Sequence, residues 1–365
     1  MKILLSGGGT AGHINPAVAI AKYALEQDKS TEILFVGTKK GLEKNLVPKE
    51  GFNIKFVNVD GLDTRLSLKN MISGAKLAFA VTKSIAIMKK FKPDVVVGTG
   101  GYVCVSSVIA AKILGIPSVV HEQNVFPGTA VKFLASKCNS TLISFEESRK
   151  YLPKNLDIRL TGNPIRPDIL KHTSSEAKEK LGISGKKAIL VFGGSLGALK
   201  INDVMVDFIE RNPDIENCVI YFATGKRDFD RVSGKIKERN IKLGENIKVL
   251  SYIDNMDLYM NAADLVVSRS GAITLAEICA LGKPSVLIPS PNVTNNHQEY
   301  NARALSDVGA AITITEREFD VNSLEKAVFG IICDSDLSDK MSEKARKLGI
   351  RDACEKIHGI IEEIL

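Results

Sequence analysis

Residues 3–13 read Ile3-Leu4-Leu5-Ser6-Gly7-Gly8-Gly9-Thr10-Ala11-Gly12-His13: a short apolar strand, a glycine-rich turn and the start of a helical pattern. The same layout returns at 188–198, which read Ala188-Ile189-Leu190-Val191-Phe192-Gly193-Gly194-Ser195-Leu196-Gly197-Ala198. A glycine-rich turn ahead of a helix lets backbone N–H groups approach a phosphate closely. Two copies predict two nucleotide-fold domains facing one cleft. Only the first copy has a histidine directly after its loop.

The composition fits a globular protein with two cores. The chain has 365 residues, and single cores stop growing at roughly 250–300 residues. The hydrophobic share of 44% and the charged share of 25% are ordinary for such a protein. Tryptophan is absent and aromatic residues make up 6%, which disfavours a base-stacking surface for nucleic acid. The six cysteines form no CxxC pair, so we expect reduced thiols and no zinc site.

The apolar stretches are too short for a membrane span. The longest uncharged stretch, 95–111, is interrupted by three glycines, whereas a spanning helix needs ~20 apolar residues. Glycine at position 7 comes too early for the apolar part of a signal peptide. We therefore expect a cytosolic protein whose membrane contact is peripheral.

Short apolar runs alternate with helical patterns along the whole chain. Continuous Val/Ile/Leu strands separated by helices predict parallel sheets, and therefore an α/β fold with two doubly wound, Rossmann-like domains. The two prolines and the glycine of 161–167 mark the boundary. We expect domains at 1–163 and 164–340, and a C-terminal helix at 341–365 (pattern 338–364) that packs back on the first domain. The predicted strands are 2–5, 32–36, 54–57, 94–97, 118–120, 141–144, 158–160, 187–192, 218–223, 247–250, 264–267, 284–288 and 311–313.

Two common nucleotide motifs are incomplete. The spacing Gly7-x-Gly9-x-x-Gly12 matches the dinucleotide fingerprint, but that fingerprint needs an acidic residue after the second strand. Strand 32–36 is followed by Gly-Thr-Lys-Lys instead, which disfavours a nicotinamide cofactor. No GxxxxGK[ST] loop is present either. Ligands of open α/β sheets bind at the carboxyl ends of the strands. We therefore expect one shared edge for loops 6–13, 98–102 and 121–128, and another for loops 193–199, 251–255, 268–275 and 289–298.

Seven motifs in order resemble the MurG family, the GlcNAc transferases that act on lipid-linked MurNAc-pentapeptide in peptidoglycan synthesis. They run from residue 3 to about 305, which makes the resemblance specific although each motif alone is ambiguous. The motifs are GGGTAGH at 7–13, GTGGY at 98–102, HEQN at 121–124, GNPIR at 162–166, GGSLGA at 193–198, SRSGAITLAE at 268–277 and NNHQEYNA at 295–302.

His13 is the candidate general base. The reaction needs a group that takes a proton from the acceptor hydroxyl, and a histidine titrates near ~6.5. A histidine that merely caps or packs at the helix start is the alternative. The resemblance implies the catalytic role, for His13 or a neighbour, and it implies that Thr10, Ala11 and Gly12 contact the donor.

The resemblance also implies a UDP-GlcNAc site. Glu277 would bind the ribose, although an exposed helical glutamate is the simpler interpretation from residues alone. Ser195 or Arg166 could bind phosphate, or only cap a helix and form a salt bridge. His297 stands where some relatives have a glutamine, so the resemblance does not carry a sugar contact over to position 297. The implied donor contacts are Asn124, Arg166, Ser195, Ile253 through its backbone, Ala272, Ile273, Thr274, Leu275, Glu277 and Gln298.

We expect no metal and no cofactor. The DxD patterns at 228–230 and 334–336 lie outside the strand-end loops, in polar segments, and are interpreted as solvated acids. Helix N-termini and Arg166 would then neutralise the leaving UDP.

The segment 64–92 has seven Lys or Arg and no acidic residue. Lys69, Lys76, Lys83 and Lys90 are spaced by seven, which places them on one stripe of a helix, although Gly74 weakens a single continuous helix. Apolar residues nearby would add surface: Leu68, Ile72, Leu77, Phe79, Val81, Ile85 and Ile87. A solvated helix face is the ordinary alternative, and nucleic acid is disfavoured by the missing aromatics. The basic and apolar surface favours an anionic membrane surface, and the polyprenyl acceptor implied by the resemblance supports it.

The sequence therefore predicts an inverting, metal-independent GlcNAc transferase of the GT-B type at the cytoplasmic face of the membrane. Its first domain would bind the lipid-linked acceptor and its second domain UDP-GlcNAc. Two alternatives remain: a UDP-GlcNAc 2-epimerase, which has a similar two-domain build, and a non-catalytic nucleotide-sugar sensor.

Overall fold

The computed structural model describes residues 1–59, 68–194 and 197–365, and side chains of the helix that begins at Leu68 are described from Gly74 onward. The chain divides into two compact units. Unit 1 comprises Met1–Ile165 and Ile350–Leu365, and unit 2 comprises Arg166–Gly349. Among the described residues, no helix is both long and apolar enough to cross a bilayer.

Unit 1 is built on a seven-stranded parallel sheet in the order β3-β2-β1-β4-β5-β6-β7. Side chains of alternate residues in β1 pack in different cores, because successive side chains of a strand point to opposite faces. Ile3 and Leu5 pack on one side of the sheet and Leu4 on the other. The strands are β1 (Lys2–Gly7), β2 (Glu32–Gly37), β3 (Ile54–Phe56), β4 (Val95–Gly100), β5 (Ser118–Glu122), β6 (Ser140–Ile143) and β7 (Ile158–Leu160).

Helices cover both faces of this sheet, which explains why its strands are continuously apolar. The last helix of the chain, α14, packs on α1 within unit 1. The helices of unit 1 are α1 (Ala11–Gln27), α2 (Glu43–Lys49), α3 (Leu68–Phe91), α4 (Tyr102–Leu114), α5 (Thr129–Leu134) and α14 (Ala353–Glu363).

Unit 2 repeats the architecture with a six-stranded parallel sheet in the order β10-β9-β8-β11-β12-β13. Its strands are β8 (Lys187–Phe192), β9 (Cys218–Ala223), β10 (Ile247–Leu250), β11 (Leu265–Ser268), β12 (Ser285–Leu287) and β13 (Ala311–Thr313). Its helices are α6 (Ser174–Lys180), α7 (Leu199–Arg211), α8 (Phe229–Glu238), α9 (Met256–Ala262), α10 (Ala272–Leu281), α11 (His297–Ser306), α12 (Val321–Ile332) and α13 (Ser335–Leu348).

The predicted strands are confirmed, with ends that differ by at most three residues. The helical predictions need two corrections. Gly74 does not interrupt α3, which is continuous from Leu68 to Phe91. The pattern at 338–364 is two helices, since α13 ends at Leu348 and α14 begins at Ala353. The break between α13 and α14 lies where the chain returns from unit 2 to unit 1, between residues 349 and 350. The chain first passes from unit 1 to unit 2 between residues 165 and 166.

Candidate active site

The loops that follow β1 and β4 pack directly on each other in unit 1. The Gly8 N–H donates to the Gly100 carbonyl at 3.3 Å. A Cβ at Gly101 would lie 2.4 Å from the Gly8 carbonyl oxygen, and one at Gly7 would lie 2.0 Å from Oγ1 of Thr99. The two glycine clusters are therefore required by close backbone approach. The predicted common edge of loops 6–13 and 98–102 is confirmed.

His13 lies in the first turn of α1 and joins the third loop of this edge. Its Nδ1 is 2.9 Å from Oε1 of Gln123, which follows β5. Its backbone carbonyl accepts from Oγ1 of Thr99 at 2.7 Å. A Cβ at Gly100 would lie 2.6 Å from Nδ1 of His13, so the imidazole packs where only a glycine leaves room. The ring is half-buried and held from two sides.

The start of α1 presents backbone groups at the same edge. Thr10 is the N-cap residue without a side-chain cap, and its carbonyl accepts from the N–H groups of His13 and Ile14. Ala11 and Gly12 follow in the first turn, where N–H groups have no partner within a helix. This edge can therefore receive an oxygen-rich ligand.

Glu43 is a buried residue that sequence reasoning missed. Its carboxylate accepts from the Gly9 N–H at 2.9 Å and from the N–H and Oγ1 of Thr38 at 2.8 and 2.7 Å. It thereby ties the first glycine loop to the end of β2. The sequence does contain an acidic residue shortly after Gly37-Thr38. Its spacing from the neighbouring residues, however, does not indicate that the Glu43 side chain is buried.

Asn124 is held by its neighbour Glu122. Its backbone N–H and its side-chain amide donate to Oε1 of Glu122 at 2.9 and 3.1 Å, and Oε2 accepts from the Gly128 N–H at 2.8 Å. Burial raises the pKa of the Glu122 carboxyl. The loop after β5 is therefore fixed from within, and Asn124 lies half-buried at its surface.

A cavity of about 630 Å³ lies at the carboxyl edge of the sheet of unit 2. The N-terminal residues of α7 and α10 line it, with Leu199 and Thr274 among them. Helix N-termini favour anions because their N–H groups are unpaired and the helix dipole is positive there. Three of the four loops predicted to share this edge line the cavity, namely 193–199, 268–275 and 289–298, whereas no residue of 251–255 lines it. Ser195 lies outside the described residues.

Gln298 lines this cavity and is positioned by two neighbouring loops. Its Oε1 accepts from the Ser290 N–H at 2.9 Å, and its backbone carbonyl accepts from Oγ of Ser270 at 2.7 Å. Nδ1 of the adjacent His297 is 2.8 Å from the carbonyl of Thr294. The side-chain oxygen and the backbone carbonyl of Gln298 thus bind residues of unit 2, and the His297 ring contacts the turn that precedes α11.

Arg166 and Glu277, both predicted donor contacts, are paired with each other in unit 2. Nε of Arg166 is 2.8 Å from Oε1 of Glu277, and Nη2 is 3.2 Å from Oε2. Glu277 is only 5% exposed, so it is not the solvated helical glutamate of the simpler interpretation.

The remaining predicted donor residues differ in what they can offer. Leu275 is fully buried and its N–H donates to the Gly271 carbonyl at 3.0 Å, so it supports α10 from inside. Ile253 is buried too and does not line the cavity. Ala272 is buried and Ile273 half-buried in the first turn of α10.

Two interpretations of charged segments need correction. Asp228 is not a solvated acid: it is buried and binds Arg231 and the amide of Asn202. The apolar residues of α3 are not a broad exposed surface either, because Leu77, Val81, Ile85 and Ile87 pack on the core of unit 1. Phe79, by contrast, is 67% exposed. Within the described parts of the chain, no group of three or more His, Cys, Asp or Glu could hold a metal ion.

Two family models match the chain. The glycosyltransferase family 28 N-terminal domain matches residues 3–143, and the glycosyltransferase family 28 C-terminal domain matches residues 188–357. A protein of Thermoanaerobacter sp. (strain X514) is 44% identical over 365 residues, covering 100% of both chains. It is named UDP-N-acetylglucosamine--N-acetylmuramyl-(pentapeptide) pyrophosphoryl-undecaprenol N-acetylglucosamine transferase. The chain belongs to this MurG family.

Further relatives agree with this assignment. A Clostridioides difficile protein of the same name is 42% identical, covering 100% of this chain and 89% of the relative. The crystal structure of Acinetobacter baumannii MurG superposes with a TM-score of 0.80 at 26% identity and covers 99% of both chains. The chain is thus a family 28 glycosyltransferase with the two parallel-sheet, Rossmann-like domains of the GT-B fold.

The fold is shared more widely than the activity. A UDP-GlcNAc 2-epimerase from Neisseria meningitidis, solved with UDP-GlcNAc, superposes with a TM-score of 0.66 over the full length of both chains at 15% identity. This likeness concerns the fold alone.

Proposed function

We propose that the protein transfers GlcNAc from UDP-GlcNAc to the 4-hydroxyl of lipid-linked MurNAc-pentapeptide, with inversion at the anomeric carbon. The observation that carries this proposal is full-length identity of 44% to a transferase of that name. The same identity favours transfer over the epimerase alternative, whose support is a shared fold.

The donor would bind at the carboxyl edge of unit 2. Its diphosphate would lie at the N-termini of α7 and α10, where the cavity of about 630 Å³ offers positive dipole ends. The side-chain amide of Gln298 would contact the sugar. The Glu277 carboxylate has about four lone-pair sites. Arg166 uses one on each oxygen, so the remaining sites can accept the two ribose hydroxyls.

His13 would act as the general base in unit 1. The acceptor oxygen attacks the anomeric carbon and its proton passes to the imidazole, while the bond from that carbon to the UDP oxygen breaks. The leaving UDP takes the electron pair, and the helix N-termini of its site and the Arg166 guanidinium stabilise the negative charge.

The exposed face of α3 would hold unit 1 against an anionic membrane, at its cytoplasmic face. Lys83 and Lys90 lie exposed on the predicted stripe and Phe79 projects from the same helix. Lysine near an anionic surface contributes about 1 kcal/mol. Lys76 of the same stripe is half-buried. The side chain of Lys69 is not among those that the structure describes.

The deciding experiment incubates radiolabelled UDP-GlcNAc with a short-chain lipid-linked MurNAc-pentapeptide. We expect label to enter the lipid fraction as a disaccharide. Conversion of UDP-GlcNAc to its 2-epimer without lipid would instead establish the epimerase, and tight UDP-GlcNAc binding without any turnover would establish the sensor.

A further inference from the structure

A chain of hydrogen bonds leads from His13 into the interior of unit 1. Oε1 of Gln123 faces Nδ1 of His13 at 2.9 Å. Nε2 of Gln123 lies 2.9 Å from Nδ1 of His121, and Nε2 of His121 lies 2.9 Å from the carbonyl of Gly162. Gln123 and His121 are buried, so solvent does not compete for these bonds. The chain ends on a backbone atom that can only accept.

The orientation of the Gln123 amide is determined by two carbonyl oxygens. Its nitrogen lies 3.0 Å from the Thr99 carbonyl and 3.1 Å from the His121 carbonyl. Neither oxygen can donate, so the amide NH₂ must occupy this side. The amide oxygen then faces His13, and an amide oxygen only accepts.

The second histidine agrees with this assignment. Nε2 of His121 must carry the proton, because its partner is the Gly162 carbonyl. Burial lowers the pKa of His121 to about 4, so the ring is neutral at physiological pH and its unprotonated Nδ1 faces the Gln123 amide nitrogen, whose two hydrogens are shared among this nitrogen and the two carbonyls. Every donor in the chain therefore meets an acceptor.

We propose that Gln123 is a positioning residue that sets the tautomer of His13: it holds the proton on Nδ1 and leaves the lone pair of Nε2 to accept the proton of the attacking hydroxyl. The proton of a histidine is placed by the bond that the other ring nitrogen makes. In water the opposite tautomer, with the proton on Nε2, dominates for a free histidine side chain, and it could not act as a base through Nε2. This inference rests on the proposed role of His13.

The same contact serves the second half of the step. Once Nε2 has taken the proton, the ring is an imidazolium that donates from both nitrogens. The Nδ1–H bond to Oε1 of Gln123 then becomes charge-assisted and stronger. Gln123 thus stabilises the protonated base without itself changing protonation.

Two variants of Gln123 separate positioning from simple packing. Gln123→Leu keeps the approximate volume and removes both ends of the amide. Gln123→Glu keeps an oxygen toward His13, and its second oxygen, protonated because burial raises a carboxyl pKa, can donate to the Thr99 carbonyl. Ser84→Ala is the control, because it removes another buried hydrogen bond of unit 1, from Oγ of Ser84 in α3 to Oγ of Ser106 in α4 at 3.3 Å, and neither serine belongs to the loops of the site.

We expect Gln123→Leu to lower kcat by ~10-fold or more at an unchanged KM for UDP-GlcNAc, since a general base contributes ~10²–10⁴-fold. Gln123→Glu should recover part of this loss, and Ser84→Ala should keep the wild-type kcat. Equal losses in the Leu and Glu variants would indicate packing alone and overturn the proposal, as would wild-type kcat in Gln123→Leu.

Imidazole ¹H–¹⁵N correlation spectra of the full-length protein read the tautomer directly, with His13 assigned by its loss in His13→Ala. We expect the Nδ1–H form in the wild type and a shift toward Nε2–H in Gln123→Leu. An Nε2–H ring in the wild type overturns the proposal. Because the spectra need no substrate, they remain decisive if the transferase activity itself is absent.

Discussion

Arg166 and Glu277 form a two-pronged ion pair, with N–O distances of 2.8 and 3.2 Å, around a carboxylate that is 5% exposed. The sequence motifs assign each residue separately to the donor. The structure joins them, so the guanidinium orients the carboxylate that we propose for the ribose. A fork-shaped cation suits this task because it fixes both oxygens at once.

Removing either partner should therefore affect donor binding through the other. We expect Glu277→Gln and Arg166→Ala each to raise the KM for UDP-GlcNAc by ~10-fold or more, and the double variant to cost less than the product of the two, because contacting residues are not additive. Steady-state kinetics of the four proteins measure the coupling. Independent, multiplicative effects would show that the pair does not act as one unit.

Stability distinguishes this pair from a surface salt bridge. Arg166→Ala leaves a buried carboxylate without its partner and should lower the free energy of unfolding by about 1–3 kcal/mol. The control is Arg211→Ala, whose side chain is equally exposed (51%) and pairs with Glu325 at 3.3 Å. Its loss should cost about 0–1 kcal/mol. Urea unfolding compares the two variants.

His13→Ala tests the base directly. We expect turnover to fall by ~10²–10⁴-fold, the usual contribution of a general base, with UDP-GlcNAc affinity nearly unchanged because the proposed donor cavity is in unit 2. Calorimetry and the lipid-transfer assay give the two values. Near-wild-type turnover of His13→Ala would show that another group acts as the general base.

Gly100→Ala tests how the imidazole is held. The new Cβ would lie 2.6 Å from Nδ1 of His13, at φ +107°, so the ring must move and kcat should fall at least ~10-fold. Gly115→Ala is the matched control: its φ is +69° but its Cβ meets nothing within 4 Å. Backbone strain in this variant should lower the free energy of unfolding by only ~1–2 kcal/mol. Its kcat should equal that of the wild type. Equal loss of kcat in both would point to backbone strain alone.

His121 predicts a pH-dependent stability for unit 1. Its folded pKa of about 4 is below the ordinary 6.5, so the unfolded chain binds the extra proton and stability is lost as pH falls through this window. The loss should reach about 2 kcal/mol between about pH 7.5 and pH 5. His121→Leu should remove this part of the pH dependence. Amide exchange on β5 under urea measures it, and an unchanged slope would contradict the assignment.

Charge reversal on α3 tests the membrane surface. The triple variant Lys69→Glu, Lys76→Glu and Lys83→Glu should weaken binding to anionic vesicles by ~100-fold, at about 1 kcal/mol per lysine. The control reverses three exposed lysines of unit 2, Lys237, Lys242 and Lys248, and changes the net charge equally. Equal weakening in both triples would mean that net charge, not α3, controls binding.

Sequence reasoning predicted the strands and the shared loop edges well, for a physical reason. Continuous apolar runs ended by glycine or proline are local signals, and parallel strands always bring their carboxyl ends to one edge. The ends of the helices were predicted less accurately than the strands. The break at 349–352 depends on the last helix packing in unit 1, and Leu77 and Val81 look as exposed in the sequence as Phe79 until the partner helix is known.

The sequence by itself determined the fold class, the two nucleotide-fold domains and the position of His13 after the first glycine loop, because period, turn chemistry and motif spacing are written along the chain. Only the tertiary structure decided which polar groups meet. The pairing of Arg166 with Glu277, the inward carboxylate of Glu43 and the Gln123 amide on His13 join residues 34 to 111 positions apart. Such contacts depend on side-chain direction and burial, which a one-dimensional pattern does not carry.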